Sequence, residues 1–180
     1  MDVLAISGSL RTSSKNSALL EAAQRLAPPG MVIALDGSIG ALPHFNPDLD
    51  AMDGAAMPAS AARWRARVAA ADGVLISSPE YAHGVPGVLK NALDWLVSST
   101  EVPGKPFALL TASSLSVHAP AQLREILTTM NTRFVDDASV AIPVSGGVRD
   151  ASAILRDAER SAMLRAALEA FRRAISGGAT

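Results

Sequence analysis

Cysteine is absent from the 180 residues, which removes disulfide staples, thiolate zinc sites and a cysteine nucleophile together. Histidine is scarce: His44, His83 and His118 lie far apart and none belongs to a His-x-x-x-His pair. A metal site would need long-range convergence that no motif marks, and none is expected. Charge of one sign is missing too. Sixteen Lys plus Arg against seventeen Asp plus Glu leave a net charge of −1, with no basic field for nucleic acid or an anionic membrane. No apolar run reaches spanning length, and the chain opens directly into Val3-Leu4-Ala5-Ile6 without a basic region and a long apolar stretch, so a cytoplasmic location is expected.

What is present is apolar surface. Hydrophobic residues make up 49% and charged residues 18%, enough to bury a core and contrary to general disorder. The length suits one domain over residues 1–180. Apolar runs of strand length at Val3 to Ser7, Met31 to Leu35, Gly73 to Ser77, Phe107 to Thr111 and Ser139 to Ile142 alternate with stretches of helical spacing. Leu19, Ala22, Ala23 and Leu26 share one helical face, as do Met57, Ala61, Trp64, Val68 and Ala71. Two more helices are marked by Pro86 and Pro120 at their first turns, and a last one runs from about Asp150 to Ile175. Strict alternation predicts an α/β fold with a five-stranded parallel sheet in the order 2-1-3-4-5 and helices on both faces. In that order the ligand crevice lies beyond the carboxyl ends of the strands. The connection from Gly37 to Met57 is the longest; it reads equally as a surface excursion or as a segment that folds Leu42 and Phe45 over the site.

The loop after the first strand, Gly8-Ser9-Leu10-Arg11-Thr12-Ser13-Ser14-Lys15-Asn16, feeds straight into a helix. A helix N-terminus offers unpaired N–H groups and partial positive charge, so a terminal phosphate there gains hydrogen bonds and dipole attraction together. Ser9, Ser14 and Asn16 add neutral donors and Arg11 a charge-assisted contact. On these residues alone, a Ser-rich turn that merely caps the helix stands beside the phosphate cradle. Neither Gly-x-x-x-x-Gly-Lys-Ser/Thr nor Gly-x-Gly-x-x-Gly occurs in the loop, so a triphosphate or an ordinary dinucleotide site fits less well than a monophosphate.

After the third strand the chain reads Pro79-Glu80-Tyr81-Ala82-His83-Gly84-Val85-Pro86-Gly87-Val88-Leu89-Lys90-Asn91-Ala92-Leu93-Asp94-Trp95. Together with Gly-Ser-Leu-Arg-x-x-Ser-x-Asn at residues 8–16, this segment is similar to the NADPH-dependent FMN reductases, the flavodoxin-like group that includes bacterial quinone, azo-dye and chromate reductases. The resemblance implies that Ser9, Arg11, Ser13, Ser14 and Asn16 hold the FMN phosphate. It implies that Pro79, Glu80, Tyr81, Ala82, His83 and Gly84 line the isoalloxazine, with Ser113 adding a contact from the loop after the fourth strand. Backbone N–H groups at the flavin edge meet the negative charge that builds on reduction. Small residues at Gly84 and Gly87 let backbone and ring approach.

No side chain is expected to act as a catalytic base, because hydride transfer through flavin N5 needs none. Trp95 reads as core, Lys90 with Asp94 as a surface ion pair or, in the family's context, a subunit contact, Glu80 as a structural acceptor ahead of a perturbed acid, and His83 as a loop or rim residue ahead of a proton donor. The activity implied is ping-pong reduction, by NADPH or NADH through FMN, of a small acceptor such as a quinone, azo compound, chromate-type oxyanion or free flavin. A homodimer or homotetramer is implied as well. A flavodoxin-fold electron carrier or redox-sensing protein is the alternative; carriers of this fold tend to be strongly acidic, and this chain is nearly neutral. One departure stands out: where the family usually has a Gly-rich loop after the fourth strand, this chain has Thr111-Ala112-Ser113-Ser114-Leu115-Ser116-Val117-His118. Ala82 likewise stands where many relatives carry Asn.

Overall fold

The computed structural model describes residues 1–50, 56–144 and 150–178. Four parallel strands form the body of the sheet: β1 (Asp2–Ser7), β2 (Val32–Asp36), β3 (Gly73–Ser77) and β4 (Pro106–Thr111). All five residues of β3 are buried, as expected of a strand covered on both faces. The fifth position is shared by two short strands. β5 (Arg133–Phe134) pairs with the start of β4, and β6 (Val140–Ala141) pairs with its end, opposite Leu110 and Thr111. The order is β2-β1-β3-β4-β5, with β6 beside β4, so the expected order 2-1-3-4-5 holds.

The predicted strand Ser139 to Ile142 is therefore half right. A 3-10 turn at Asp136–Ala138 interrupts the strand, and the Ser139 hydroxyl takes the place of backbone there, accepting from Leu109 N at 3.1 Å and donating to Val135 O at 2.8 Å. Arg133 and Phe134, which no apolar run marks, form the lower half.

Alternating side chains of the strands point to two cores. Val3, Ala5, Leu75, Ala108 and Leu110 pack with α1 (Lys15–Arg25), α5 (Ala151–Arg156) and α6 (Ala158–Gly177). On the other face, Leu4, Ile6, Val74, Ile76, Phe107 and Leu109 pack with α2 (Ala59–Ala70), α3 (Gly87–Asp94) and α4 (His118–Thr129). Trp64 fills this second core and donates its indole N–H to Ala92 O at 2.8 Å, which meets the need of a buried indole for a partner.

The C-terminal helix expected from Asp150 is two helices. Asp150 caps α5 by accepting from Ala153 N, and Asp157 caps α6 by accepting from Arg160 N, each satisfying an orphan donor of a helix start. Among the described residues no helix is long and apolar enough to cross a membrane.

The long connection after β2 belongs to the core in its described part. Phe45 meets the Trp95 ring edge to face at 5.2 Å, and its N–H donates to Asn91 Oδ1 at 2.8 Å. Pro43 O accepts from the Trp95 indole and from Asn91 Nδ2. Trp95 is buried, as read from its spacing. Gly54, within the same connection, lies outside the described residues.

Candidate active site

Register decides where the loops meet. Ser7 lies level with Ser77 across the β1–β3 pair, so the turns leaving both strands start at the same height, one bond apart: Gly8 N donates to Ser77 O at 2.8 Å. Gly8 is required by this approach. A Cβ there would lie 2.4 Å from Ser78 Oγ and 3.1 Å from Leu89 Cδ2, inside van der Waals contact. Ser77 Oγ donates to Asn16 Oδ1 at 3.0 Å in the buried floor, which ties the start of α1 to the end of β3.

A cleft of about 410 Å³ opens above this floor, lined by Ser9, Arg11, Ser13, Ser14, Lys15, Asn16, Ser78, Pro79, Glu80, Tyr81, Ala112, Ser113 and Ser116. Its size falls within the ~300–1,000 Å³ of small-molecule sites. At one end lies the N-terminus of α1. Ser14 caps it by accepting from Ser17 N at 3.3 Å, so the capping role is present, and Ser9 Oγ accepts from Arg11 N at 3.4 Å. Arg11 and Ser13 are exposed beside it. With Lys15 as the first helical residue, two cations and a helix N-terminus face a cleft whose lining carries no carboxylate other than Glu80 among the described residues, an arrangement that attracts an anion.

The opposite wall is Pro79-Glu80-Tyr81. Glu80 is a structural acceptor: Oε2 takes the His118 N–H at 2.7 Å and the Ala119 N–H at 2.9 Å at the start of α4. The Ala119 N–H is the main cause that holds this carboxyl below its ordinary 4.5, against partial desolvation, with the His118 N–H and the two nearby imidazoles adding to the lowering.

Nine of the twelve residues expected at the cofactor therefore line one cleft: Ser9, Arg11, Ser13, Ser14, Asn16, Pro79, Glu80, Tyr81 and Ser113. Ala82, His83 and Gly84 stand outside its lining. They belong to a tight turn closed by Tyr81 N donating to Gly84 O and Gly84 N donating to Tyr81 O. Its two central residues, Ala82 (φ 49) and His83 (φ 58), are left-handed, the backbone of a type I′ hairpin turn. Protein contacts require glycine at neither Gly84 nor Gly87, where an added Cβ meets at most ordinary contacts. Lys15, Ser78 and Ala112 are cleft residues that no motif announced. Leu115 and Val117 are exposed at 87% and 61%, so the bulk that replaces the usual glycines projects into solvent.

Residues 1–146 match the sequence profile of the family described as NADPH-dependent FMN reductase. The chain belongs to that family. Within it, a relative from Pseudomonas aeruginosa named as an NAD(P)H-dependent FMN reductase is 37% identical over 174 residues, covering 94% of this chain and 92% of its own. A quinone reductase of Escherichia coli is 35% identical over 137 residues, with 73% and 71% covered. Among solved structures, the flavoenzyme NAD(P)H:(acceptor) oxidoreductase of Paracoccus denitrificans superposes with a TM-score of 0.77 at 28% identity, covering 98% of this chain and 97% of its own. A WrbA-like flavodoxin from Agrobacterium tumefaciens, at 14% identity and a TM-score of 0.59, shares the fold. For this FMN reductase family member, the family match and the cleft coincide in place: every lining residue falls within the matched segment.

Proposed function

We propose that this chain is an NAD(P)H-dependent FMN oxidoreductase that reduces a small acceptor of the quinone class in a ping-pong cycle. The observation that carries the reading is that a phosphate-suited end and a Pro-Glu-Tyr wall belong to a single cleft of the right size. The donor set fits the cofactor. Arg11, Ser9, Ser13, Asn16 and the N-terminus of α1 would take the phosphate, and Pro79, Glu80, Tyr81 and Ser113 would flank the ring system. FMN, when bound, supplies the redox chemistry by accepting two electrons from the nicotinamide and passing them to the acceptor.

The residues of the chain then have positioning roles. Glu80 fixes the wall to α4 through its two backbone hydrogen bonds. The Asn16–Ser77 bond fixes the anion end to the sheet. Quinone-type acceptors are favoured by the quinone reductases among the relatives, and the near-neutral charge favours an enzyme over an acidic carrier. A cytoplasmic homo-oligomer is part of the same reading: Leu10, Tyr81, Leu115 and Val117 stand exposed near the cleft, apolar area that a second copy would cover.

The deciding experiment is a titration of purified protein with FMN, followed by anaerobic addition of NADPH or NADH and then a quinone. The flavin absorption band is expected to bleach and to recover on adding quinone, with parallel initial-rate lines in steady state. Arg11→Ala with Ser9→Ala is expected to weaken FMN binding by at least ~10-fold, since a charged hydrogen bond contributes about 1.5–3 kcal/mol. Unchanged affinity in that double variant would remove the anion end from the reading.

A further inference from the structure

The sequence marks no metal motif, yet the fold brings two of its three histidines together. His83, from the turn after β3, and His118, the first residue of α4, stack with ring centroids 4.3 Å apart and 19° between planes. Glu80 completes the group: one donor atom from each of the three lies within 4.8 Å of the others. We infer that Glu80, His83 and His118 form a binding site for a divalent transition-metal ion at the rim of the cleft. Two imidazoles and a carboxylate suit Zn²⁺, Ni²⁺, Co²⁺ or Cu²⁺ rather than Mg²⁺ or Ca²⁺, which take oxygen sets.

Three independent features hold the donors in place. Both backbone hydrogen bonds to Glu80 fall on Oε2, so Oε1 keeps its lone pairs while the carboxylate plane is fixed, the usual support of a carboxylate ligand. Gln122 of α4 clasps the turn from both sides: its Nε2 donates to His83 O at 3.1 Å and its Oε1 accepts from Val85 N at 3.2 Å. The turn that carries His83 is therefore fastened to the helix that begins with His118. Finally, Ala82 and His83 both occupy left-handed backbone, at a cost of order 1–3 kcal/mol for each non-glycine residue, and that conformation places the His83 ring over His118.

The imidazoles must turn out of their stack to share one ion, because a ring nitrogen holds a metal in the plane of its own ring. Ligand atoms around a tetrahedral ion at 2.0–2.1 Å lie roughly 3.4 Å apart, and both imidazoles are exposed and turn about their side-chain bonds to reach it. Three protein ligands leave a coordination position for water or another small oxygen donor, the arrangement of an open site. An ion held there ties the turn after β3 to the loop before α4, and residues of both segments line the cleft.

The test uses the full chain, with any affinity tag removed and metal stripped by a chelator. Zn²⁺ is titrated by calorimetry and Co²⁺ by its visible d–d absorption, with no flavin and no turnover, so the outcome is independent of the flavin assignment. One equivalent is expected to bind with a dissociation constant in the micromolar range. His83→Ala and His118→Ala each weaken it at least ~10-fold while thermal unfolding of the unliganded protein barely moves. Glu80→Gln, which keeps a hydrogen-bond acceptor, weakens it as well. His44→Ala changes nothing. Absence of saturable 1:1 uptake up to millimolar metal overturns the site, and so does uptake that survives both histidine changes.

Discussion

Gly8→Ala tests the close approach on which the cleft floor depends. The added methyl carbon would lie 2.4 Å from Ser78 Oγ, 2.9 Å from Ser78 Cβ and 3.1 Å from Leu89 Cδ2. Leu89 is completely buried, with no open space to enter, and Ser78, which lines the cleft, would have to give up its hydrogen bond to Pro79 O at 3.0 Å to move aside. Overpacking of this kind costs about 1–3 kcal/mol. Losing a glycine returns about 0.4–1 kcal/mol by restricting the unfolded chain, and no left-handed φ at Gly8 opposes alanine. The net expectation is roughly 0–2.6 kcal/mol of destabilisation, or a fall in Tm of up to roughly 10 °C for a chain of this size. Thermal unfolding followed by circular dichroism of the flavin-free protein measures it. Gly8→Ala with Ser78→Gly removes the two shortest clashes and should recover most of the loss, with a coupling of at least ~0.5 kcal/mol. A stabilised single variant, or a double variant no more stable than the single, would refute the steric argument.

Other expectations rest on separate contacts. Asp157→Ala removes the cap of α6 and the pairing with Arg160; it should cost about 1 kcal/mol, read as a lower denaturation midpoint with an unchanged m-value. Trp64→Phe leaves Ala92 O in the core without its indole donor, and the expected loss in the same assay is about 1–3 kcal/mol. The hydrogen bond from Arg124 holds the Asp136 carboxyl below its usual 3.8. A carboxyl lowered on folding stabilises fully above its unfolded pKa and loses that contribution as pH falls through the folded value. The Tm gap between the parent and Asp136→Asn should therefore be widest at neutral pH and close in acid; a constant gap would contradict the pairing. Lys90→Ala breaks only an exposed pair with Asp94 and should change stability by less than ~0.5 kcal/mol.

The elements that sequence reasoning found are those whose burial forces a composition. β1, β3 and β4 are covered on both faces, so their residues are nearly all apolar and announce themselves. The fifth position is only half legible because it is not one run. Arg133 and Phe134 offer no apolar stretch, and it takes a single hydroxyl, on Ser139, to bridge the break. Asp157 was hidden for a different reason: an aspartate in a helical pattern looks like an ordinary surface residue, and only its bond to Arg160 N reveals a second start. Within the cleft, Ser9, Arg11 and Asn16 were legible because an anion-suited loop needs those groups before a helix. Lys15, Ser78 and Ala112 line it through the register of strand ends, which no local pattern records. The outward placement of Ala82 and His83 was unreadable because a type I′ turn is normally announced by Asn or Gly, and this one is built from neither at its two central positions.

The interruption between β5 and β6 bears on how this molecule avoids sticking to itself. A long straight border of a sheet displays a row of unpaired N–H and C=O groups that can template another chain. Here that flank consists of two-residue segments separated by a 3-10 turn, too short and too bent for a foreign strand to align with. Self-association by strand addition is thereby confined to the opposite flank along β2, where Val32 and Leu35 are exposed; a lysine at position 32 is the substitution that would close that route as well.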